Sequence, residues 1–549
     1  MSLFEDPNGI IAWFDRMRSN RHNTENTWQE ISDHCLGMRD FTTERSPGRI
    51  RNEYIYDTTS MFSHQLLAGA LHGMLTNPAT DWFDMETDDP RILMDPDAKF
   101  WIADAKRKML TIFQSQSSNF VTQAAESYLD ISGFGMAGFS AMPAMRGNSG
   151  ISRGVKFATH PLRELYVDVN DEREVNTIFR EIPLTARQWA MRFPKDNDKD
   201  VSKALEGGNS ESTFRAVHCI APSDDAFAGK SPFSMPWTST IVAKDNPRIL
   251  DTGGFRELPI LTPRWTVEPG EIYGRGPAWL ALAEQKMLNQ MARTILTAAQ
   301  KAADPPLLVT NEAVLSGIRT RPGGVNIVQQ LFGQAGAGEP IRPLANNANH
   351  QLSVEMLRQR QQQVQNAYHS HVLQLFQDPR MTATQVLELS NQAQRLMAPM
   401  LGRVQREFLE PVINRTFNIL FRQGVFLPVP TVLKGVQLNI TYVSPVSRAQ
   451  RAAEAQAIVQ TWQEVAMIAQ AKQDPAVFDN FDADESARFI HAARGAPSQT
   501  LADADSMAQM REGRAQQAQE AGALEQLGAG ADIVNKLAQA QATEAAVAA

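Results

Sequence analysis

Two stretches without a helix breaker flank a short insert rich in proline and glycine, and this constrains the chain more than any other feature. The first opens at Tyr273-Gly274-Arg275-Gly276-Pro277 and runs unbroken from Ala278 to Ala303; the second runs from Asn349 to Phe376. Asp304-Pro305-Pro306, Arg321-Pro322-Gly323-Gly324 and Gly333 to Pro343 punctuate the chain between them. Proline is tolerated in the first turn of a helix and breaks its interior, so the pattern predicts two long helices around a small folded tip. At 1.5 Å per residue each would be roughly 40 Å long. Matched rods of that kind suit a ring or a channel better than an enzyme.

With 549 residues the chain has room for about three or four domains and for sizeable cores. Lys+Arg number 53 against Asp+Glu 61, a net charge of −8. Mild acidity argues against a tight, salt-dependent grip on nucleic acid, which needs a basic stripe, but allows a surface that DNA slides past. Cys35 and Cys219 are the only cysteines, too few for a disulfide framework and without metal-ligand spacing, which fits a reducing compartment. The first residues lack the basic and apolar regions of a signal peptide, and no run approaches the ~20 apolar residues of a membrane span. The expectation is a soluble protein made in the cytoplasm, with no membrane partner.

The pattern along the chain predicts an α+β fold, predominantly α. Ile10 to Arg18, Thr27 to Leu36, Thr58 to Leu75, Pro96 to Phe113 and Asn119 to Ile131 read as helices. In the third, Phe62, Leu66, Leu67, Ala70, Leu71 and Met74 form one stripe that stops at Thr76-Asn77-Pro78, and Trp82-Phe83 begins an extended piece. Residues 151–270 read as a mixed region on an antiparallel sheet. Leu165 to Asp168 and Val175 to Arg180 flank an Asn-Asp-Glu-Arg turn, a hairpin signal, and Thr185 caps a short helix through Gln188 to Phe193. Phe214 to Ile220, Thr238 to Ala243 and Phe255 to Thr266 look like strands.

Past Asp378 a long helix carries Val386, Leu389, Leu396, Met400, Val404, Phe408, Val412 and Phe417 near one face, with kinks expected at Pro399 and Pro411. Its charge is lopsided: Arg380, Arg395, Arg403, Arg406, Arg415 and Arg422 against Glu388, Glu407 and Glu410. Such a face is either solvated or turned toward DNA. Val436 to Val443 alternates as a strand. From Ser447 the composition shifts to Ala and Gln, with helices over Ala449 to Ala471, Asp484 to Ala493 and Met507 to Gln519, and a loose tail after Gly528.

No constellation reads as an active site. Gly133-Phe134-Gly135-Met136-Ala137-Gly138 matches G-x-G-x-x-G, but a helix precedes it and a strand follows, the reverse of the dinucleotide fingerprint. It predicts a glycine turn from helix to sheet. His369 and His371 point to different faces of a helix, and His34-Cys35 and His218-Cys219 are only sequence neighbours. Asp168 to Asp171 lacks the glycine and glutamate of a calcium loop. G-x-S-x-G, H-E-x-x-H and G-x-x-x-x-G-K-[ST] are absent from the sequence. The expectation is a non-enzyme with no cofactor and no metal.

Several segments resemble the portal, or head-to-tail connector, proteins of short-tailed bacteriophages. Tyr56-Asp57-Thr58-Thr59, Leu66-Leu67-Ala68-Gly69-Ala70-Leu71 and Leu75-Thr76-Asn77-Pro78-Ala79-Thr80-Asp81-Trp82-Phe83 look like the family's N-terminal signature. Tyr273-Gly274-Arg275-Gly276-Pro277 with Leu288-Asn289 looks like its approach to the first stem helix. Asp378-Pro379-Arg380-Met381-Thr382-Ala383-Thr384-Gln385-Val386 resembles the segment after the second, with Gln385 where the family usually has an acidic residue. The resemblance spans roughly Trp13 to Val443.

The resemblance implies a portal fold: a mixed wing over 1–275, stem helices over 276–303 and 349–377, and a clip over 304–348. A tunnel loop and kinked wing helix follow over 378–446, then a helical crown with a loose tail over 447–549. It implies a ring of about twelve copies at one capsid vertex, at the head–tail junction of the virion, through which double-stranded DNA enters and leaves. Terminase, scaffolding protein, capsid protein and a tail adaptor are the implied partners, with ATP hydrolysis left to the terminase. The alternative is a tail adaptor or another virion ring protein. Arg380, in the loop Gln377 to Thr384, is the first candidate for DNA contact, unless it pairs with Asp378 or a wing carboxylate. Arg395 and Arg403 stand behind it, and Lys286 and Arg293 are candidates on the first stem helix. On that helix Leu280, Leu288, Ile295 and Leu296 are expected at packing positions, with Gln285, Lys286, Arg293 and Gln300 polar. The second is rich in Gln from Gln359 to Gln365, and a polar, weakly charged lining would add little to the barrier for sliding DNA.

Overall fold

The computed structural model describes residues 6–37, 39, 41, 53–78, 80–87, 95–145, 151–196, 198–223, 235–303, 307–309, 341–343, 350–370, 397–433, 438–442, 445–472, 475–493, 507, 510–514, 516 and 517. The chain divides into two compact units, Met1–Ser444 and Pro445–Ala549. The fold is α+β and predominantly helical, as the pattern predicts.

Helix α1 spans Pro7–Ile31 and starts where the Asp6 carboxylate accepts from the backbone N–H of Asn8, with Pro7 in the first turn. The two helices expected over 10–18 and 27–36 are therefore one, continued by a π-helical turn over Ser32–Leu36. The polar run from Ser19 to Asn26 hid the continuity, because its one inward residue is an arginine. Arg21 is fully buried: its guanidinium donates to the carbonyls of Leu162 and Leu165, pairs with Glu25, and lies 3.6 Å from the centre of the Tyr166 ring.

Helices α2 (Thr59–Leu75), α3 (Pro96–Gln114) and α4 (Phe120–Phe134) follow. The stripe of α2 is rotated from the expected one. Leu67 and Leu71 are buried, but so are Ser60 and His64, while Phe62 is 68% exposed. The polar pair tolerates burial because each finds a partner: Ser60 Oγ shares a hydrogen bond with the Tyr368 hydroxyl at 2.9 Å, and His64 Nε2 bonds the Leu129 carbonyl at 2.8 Å.

Strand β1 (Phe83–Thr87) pairs antiparallel with β12 (Leu438–Tyr442). Strands β2 (Gly138–Met145), β3 (Ile151–His160) and β9 (Ile260–Leu261) form a small sheet in the order β3-β2-β9. Strands β4 (Leu165–Val169), β5 (Val175–Thr185), β6 (Thr213–Pro222), β7 (Trp237–Ala243) and β8 (Ile249–Phe255) form a five-stranded antiparallel meander. The predicted β4–β5 hairpin is present, with Arg173 at φ 63° in its turn. Thr185 and Gln188 make a reciprocal capping box that starts helix α5 (Ala186–Arg192), followed by α6 (Lys199–Glu206).

The segment expected as one strand over 255–266 is broken up: Phe255 ends β8, Ile260–Leu261 form β9, and Arg264 and Thr266 make only single bridges, to Met136 and Arg275. Pro259 and Pro263 bracket β9 and have no N–H to extend a ladder. The edge strand β8 forms through Gly253-Gly254, a dipeptide that reads as a turn.

A dense aromatic core joins α3, α4 and the small sheet. Phe113 and Phe120 have ring centres 4.6 Å apart, and Phe139 meets Phe408 edge-on at 4.9 Å. A second cluster seats Ile10, Phe14 and Met17 of α1 on Tyr166, Phe179 and Val217 of the larger sheet. A third seats α5 and α6 through Trp189, Phe193 and Val201 on Ala216 and Ile241.

Long helices α7 (Pro277–Ala303) and α8 (His350–Ala367) bracket an insert in which β10 (Leu307–Val309) pairs antiparallel with β11 (Ile341–Pro343). The rest of the expected clip lies outside the described residues. Residues 397–404 are helical and pass through a π-helical turn at Gln405–Leu409 into α9 (Glu410–Arg422). The π turn stands at the expected Pro411 irregularity: the ring falls in the first turn of α9, and the Glu410 N–H reaches back to the Gln405 carbonyl.

The second unit holds α10 (Pro445–Lys472), a 3₁₀ turn over Pro475–Asn480, and α11 (Ala483–Ala493). Trp462 stacks on Phe478 at 5.9 Å, and Asp482 caps α11 by accepting from the N–H groups of Asp484 and Glu485. Part of the helix expected over 507–519 is present, and the tail after Gly528 lies outside the described residues.

Burial holds His64 near pKa 4 and His160 and His218 each near 3, the last two hydrogen-bonded to Ser140 and Ser239 at 2.8 Å. The unfolded chain takes up these protons below about pH 6.5, while the folded chain stays neutral until far lower pH. Stability contributed by the three imidazoles is therefore complete above about pH 6.5 and falls as the pH drops through roughly 6 to 4. The expected slope is up to about 1.4 kcal/mol per pH unit for each histidine. Asp130, raised by burial to about 6 against the pull of Arg39, acts in the opposite sense between roughly pH 4 and 6 and offsets part of this. Thermal unfolding followed by circular dichroism should show a midpoint that falls from about pH 6.5 to about pH 5, and a His160→Gln, His218→Gln variant should flatten it. A midpoint independent of pH in that range would contradict the assignment.

Candidate functional site

The G-x-G-x-x-G segment meets the lead-in to α7 in a crossing of two backbones. Gly135, at φ 87°, ends α4 and lies against Gly274-Arg275-Gly276. A Cβ at Gly135 would sit 2.2 Å from the Gly276 nitrogen, one at Gly274 would sit 2.2 Å from the Gly135 oxygen, and one at Gly276 would sit 2.7 Å from the Gly135 nitrogen. Only glycine fits at all three positions. Around the crossing, the Phe134 carbonyl accepts from both the Trp28 and Trp279 indole N–H groups at 2.9 Å, and the Gly135 carbonyl accepts from the Trp265 N–H at 2.9 Å.

Further along α7, a polar node ties the helix to the start of α2. Asn289 is buried, and its Oδ1 accepts from the backbone N–H groups of Tyr56 and Asp57 at 3.1 Å each, while its Nδ2 donates to the His34 carbonyl at 3.3 Å. Gln285, expected among the polar positions, is fully buried and donates to the Asp57 carbonyl at 3.0 Å. The Asp57 carboxylate accepts from the Thr59 N–H at 2.9 Å, starting α2, and from Gln361 of α8 at 2.8 Å. One aspartate thus joins α2, α7 and α8. Two short motifs that are far apart in sequence, Tyr56-Asp57-Thr58-Thr59 and Leu288-Asn289, meet here.

The two long helices pack along each other, and Glu284 of α7 takes both of its contacts with Arg360 of α8 at 2.8 and 3.0 Å. Helix α8 stops short of the expected Phe376. His369 has φ 54°, a left-handed conformation that ends the run, and residues 371–396 lie outside the described set. Just before the break, Tyr368 is fully buried and hydrogen-bonded to Ser60. Of the expected packing positions on α7, Leu288 is buried, Ile295 is half-buried, and Leu280 and Leu296 are exposed.

The five cations singled out in the sequence fall in different settings. Arg380 and Arg395 lie outside the described residues. Lys286 pairs with Glu30 of α1 at 2.8 Å, and Arg403 pairs with Glu407 at 3.3 Å. Arg293 is exposed, lies 5.7 Å from the centre of the Tyr56 ring, and has no carboxylate partner among the described residues. The remaining arginines of the basic face are also engaged: Arg406 with Glu174, and Arg415 and Arg422 with Glu257. Arg415 is buried, and its guanidinium also donates to the carbonyls of Ala141 and Glu257.

Sequence reasoning missed the partner of Glu407. Arg264 is almost fully buried; its side chain donates twice to the Glu407 carboxylate, at 2.8 and 3.0 Å, and also to the carbonyls of Ile272 and Arg173. The bond carries the π-helical turn onto the strand-like segment that leads to α7. A lone arginine after a proline gives no sequence signal of this kind. Among the described residues there is no group of three His, Cys, Asp or Glu that could hold a metal ion, and no helix is long and apolar enough to cross a membrane.

A family model described as "Bacteriophage head to tail connecting protein" matches residues 8–501. The chain is 28% identical over 540 residues to the "Probable portal protein" of Bordetella phage BPP-1, covering 96% of this chain and 94% of that protein. It is 26% identical over 545 residues to the "Portal protein" of Salmonella phage epsilon15, covering 97% and 96% respectively.

Two substitutions test the anchor of α7. Gly135→Ala should destabilise the first unit by about 3 kcal/mol or more, because it adds a left-handed strain of roughly 1–3 kcal/mol to a backbone overlap. Asn289→Ala should cost about 1–3 kcal/mol, because it leaves the part-buried N–H groups of Tyr56 and Asp57 without their acceptor. Chemical denaturation of purified protein measures both. A loss below about 1 kcal/mol in either variant would show that the crossing or the node is dispensable.

Proposed function

The chain belongs to the bacteriophage head to tail connecting protein family, and from that premise we propose that it acts as a portal. Membership implies assembly into a ring at the head–tail junction of the virion. The reading proposed for this chain is a ring of about twelve copies at one capsid vertex, with double-stranded DNA passing through its channel during packaging and ejection. Terminase, scaffolding protein, capsid protein and a tail adaptor are the partners this role requires, and the terminase supplies the ATP hydrolysis. The observation that carries the reading is a family match over residues 8–501 that takes in both long helices and their shared anchor at Asp57. Portal proteins are also the relatives that align over almost their whole length, which favours this role over a tail adaptor.

A channel for moving DNA has to guide phosphates without holding them. Each strong cation–phosphate contact would be repeated around the ring and would add to the barrier for sliding. The pairing of Lys286 with Glu30 and of Arg403 with Glu407 fits this need, since a carboxylate beside each ammonium or guanidinium weakens its pull. Arg293 has no carboxylate beside it among the described residues and is steadied by the Tyr56 ring, which makes it well suited to touch phosphate. Arg380 and Arg395, in the proposed tunnel loop and behind it, complete the set.

Arg293→Gln and Arg380→Ala should leave ring formation unchanged and alter the amount of DNA packaged or retained in assembled particles. Quantifying DNA per particle, alongside the native mass of the purified variants, tests this. Loss of the ring would make the residue structural, and unchanged packaging and retention in both variants would remove them from the channel.

A further inference from the structure

Helices α2 and α7 pack on each other, and each leaves an apolar face on its far side. On α7 the buried positions are Ala281, Gln285, Leu288 and Ala292, whereas Leu280 is 73% exposed and Ala283 and Met287 are exposed with it. At 3.6 residues per turn, those exposed positions lie roughly 140° around the helix from the buried ones. On α2 the buried positions centre on Ser60, His64, Leu67 and Leu71, and Phe62, Gln65, Gly69 and Gly73 lie roughly opposite.

The glycines on that outer face are informative beside Phe62. A Cβ added at Gly69 or at Gly73 would meet nothing within 4 Å, so packing inside the subunit does not require either of them. Glycine in a helix interior is destabilising relative to alanine, and its use is to let another backbone or a bulky side chain come close. A closed ring built by rotation needs two different, complementary surfaces on every copy. The subunit offers an apolar ridge, Leu280 and Met287 on α7, and an apolar shelf bounded by an aromatic, Phe62 with Gly69 and Gly73 on α2.

We propose that these faces are the two halves of the contact between neighbouring copies of this chain. Leu280 and Met287 of one copy seat on the Gly69–Gly73 shelf of the next, against Phe62. The inference rests on the ring reading above and adds the pairing of surfaces within it.

Paired cysteines in the full-length chain test it. The native Cys35 and Cys219 are both buried, so Phe62→Cys combined with Met287→Cys adds the accessible thiols. Mild oxidation should turn the double variant into a ladder of covalent multimers on a non-reducing gel, while each single variant stays monomeric. Separately, Gly69→Leu should leave the melting midpoint of the subunit unchanged or higher and abolish the ring in native mass spectra. Rings from the double variant without a ladder, or normal rings from Gly69→Leu, would overturn the pairing while leaving the ring reading intact. Absence of a ring from the unmodified chain under assembly conditions, with scaffolding protein present, would overturn both.

Discussion

The crossing of two backbones, Gly135 against Gly274 and Gly276, sets where the long helix α7 begins and which way it points. Packing of side chains could not hold that direction as firmly. A crossing that leaves no room for a Cβ on any of three residues has little freedom to slide, and the two indoles that share the Phe134 carbonyl restrain it further. Pro277 then starts the helix with a preset backbone angle. From Gly276 to Asn289 is about 20 Å of helix, so a small angular error at the crossing would carry the Asn289 amide away from Tyr56 and Asp57. The polar node is therefore a consequence of the crossing as much as a second restraint, and a motif that resembles a nucleotide-binding loop serves a mechanical purpose.

Charge is distributed in keeping with that design. The basic face of the 397–422 helix is largely spent within the subunit: Arg403, Arg406, Arg415 and Arg422 meet Glu407, Glu174 and Glu257. Exposed pairs such as Arg406 with Glu174 contribute little to stability. The buried ones, Arg415 and Arg264, matter because their many donors are matched by carbonyls and carboxylates, and removing one partner would strand a charge away from water. Few cations without a carboxylate partner remain on the described part of the long helices, which supports the proposed reading of a lining that lets a polyanion slide.

Local signals made much of the fold legible. The β4–β5 hairpin, the Thr185 capping box, the end of α2 and the first long helix all follow from turn residues, caps and the absence of breakers, and the reversed order around Gly133 argues against a dinucleotide site. The features that escaped depend on distant partners. Arg21 lies inside α1 because carbonyls from residues 162 and 165 await it, so a polar run concealed a continuous helix. Gln285 is buried because Asp57, far away in the chain, supplies an acceptor. Phe62 faces outward because Ser60 and His64 find partners inside, and β8 forms through two glycines because β7 is there to pair with them. Gly135 reads as a turn from its neighbours, but its partners Gly274 and Gly276 cannot be read from spacing.

Native mass spectrometry of the purified protein, with negative-stain imaging of the same sample, tests whether this chain closes into a ring with an axial channel. A single closed species of about a dozen copies is expected, with an open hole along its axis in end-on views. A chain that stays monomeric at high concentration, with scaffolding protein present, would contradict it.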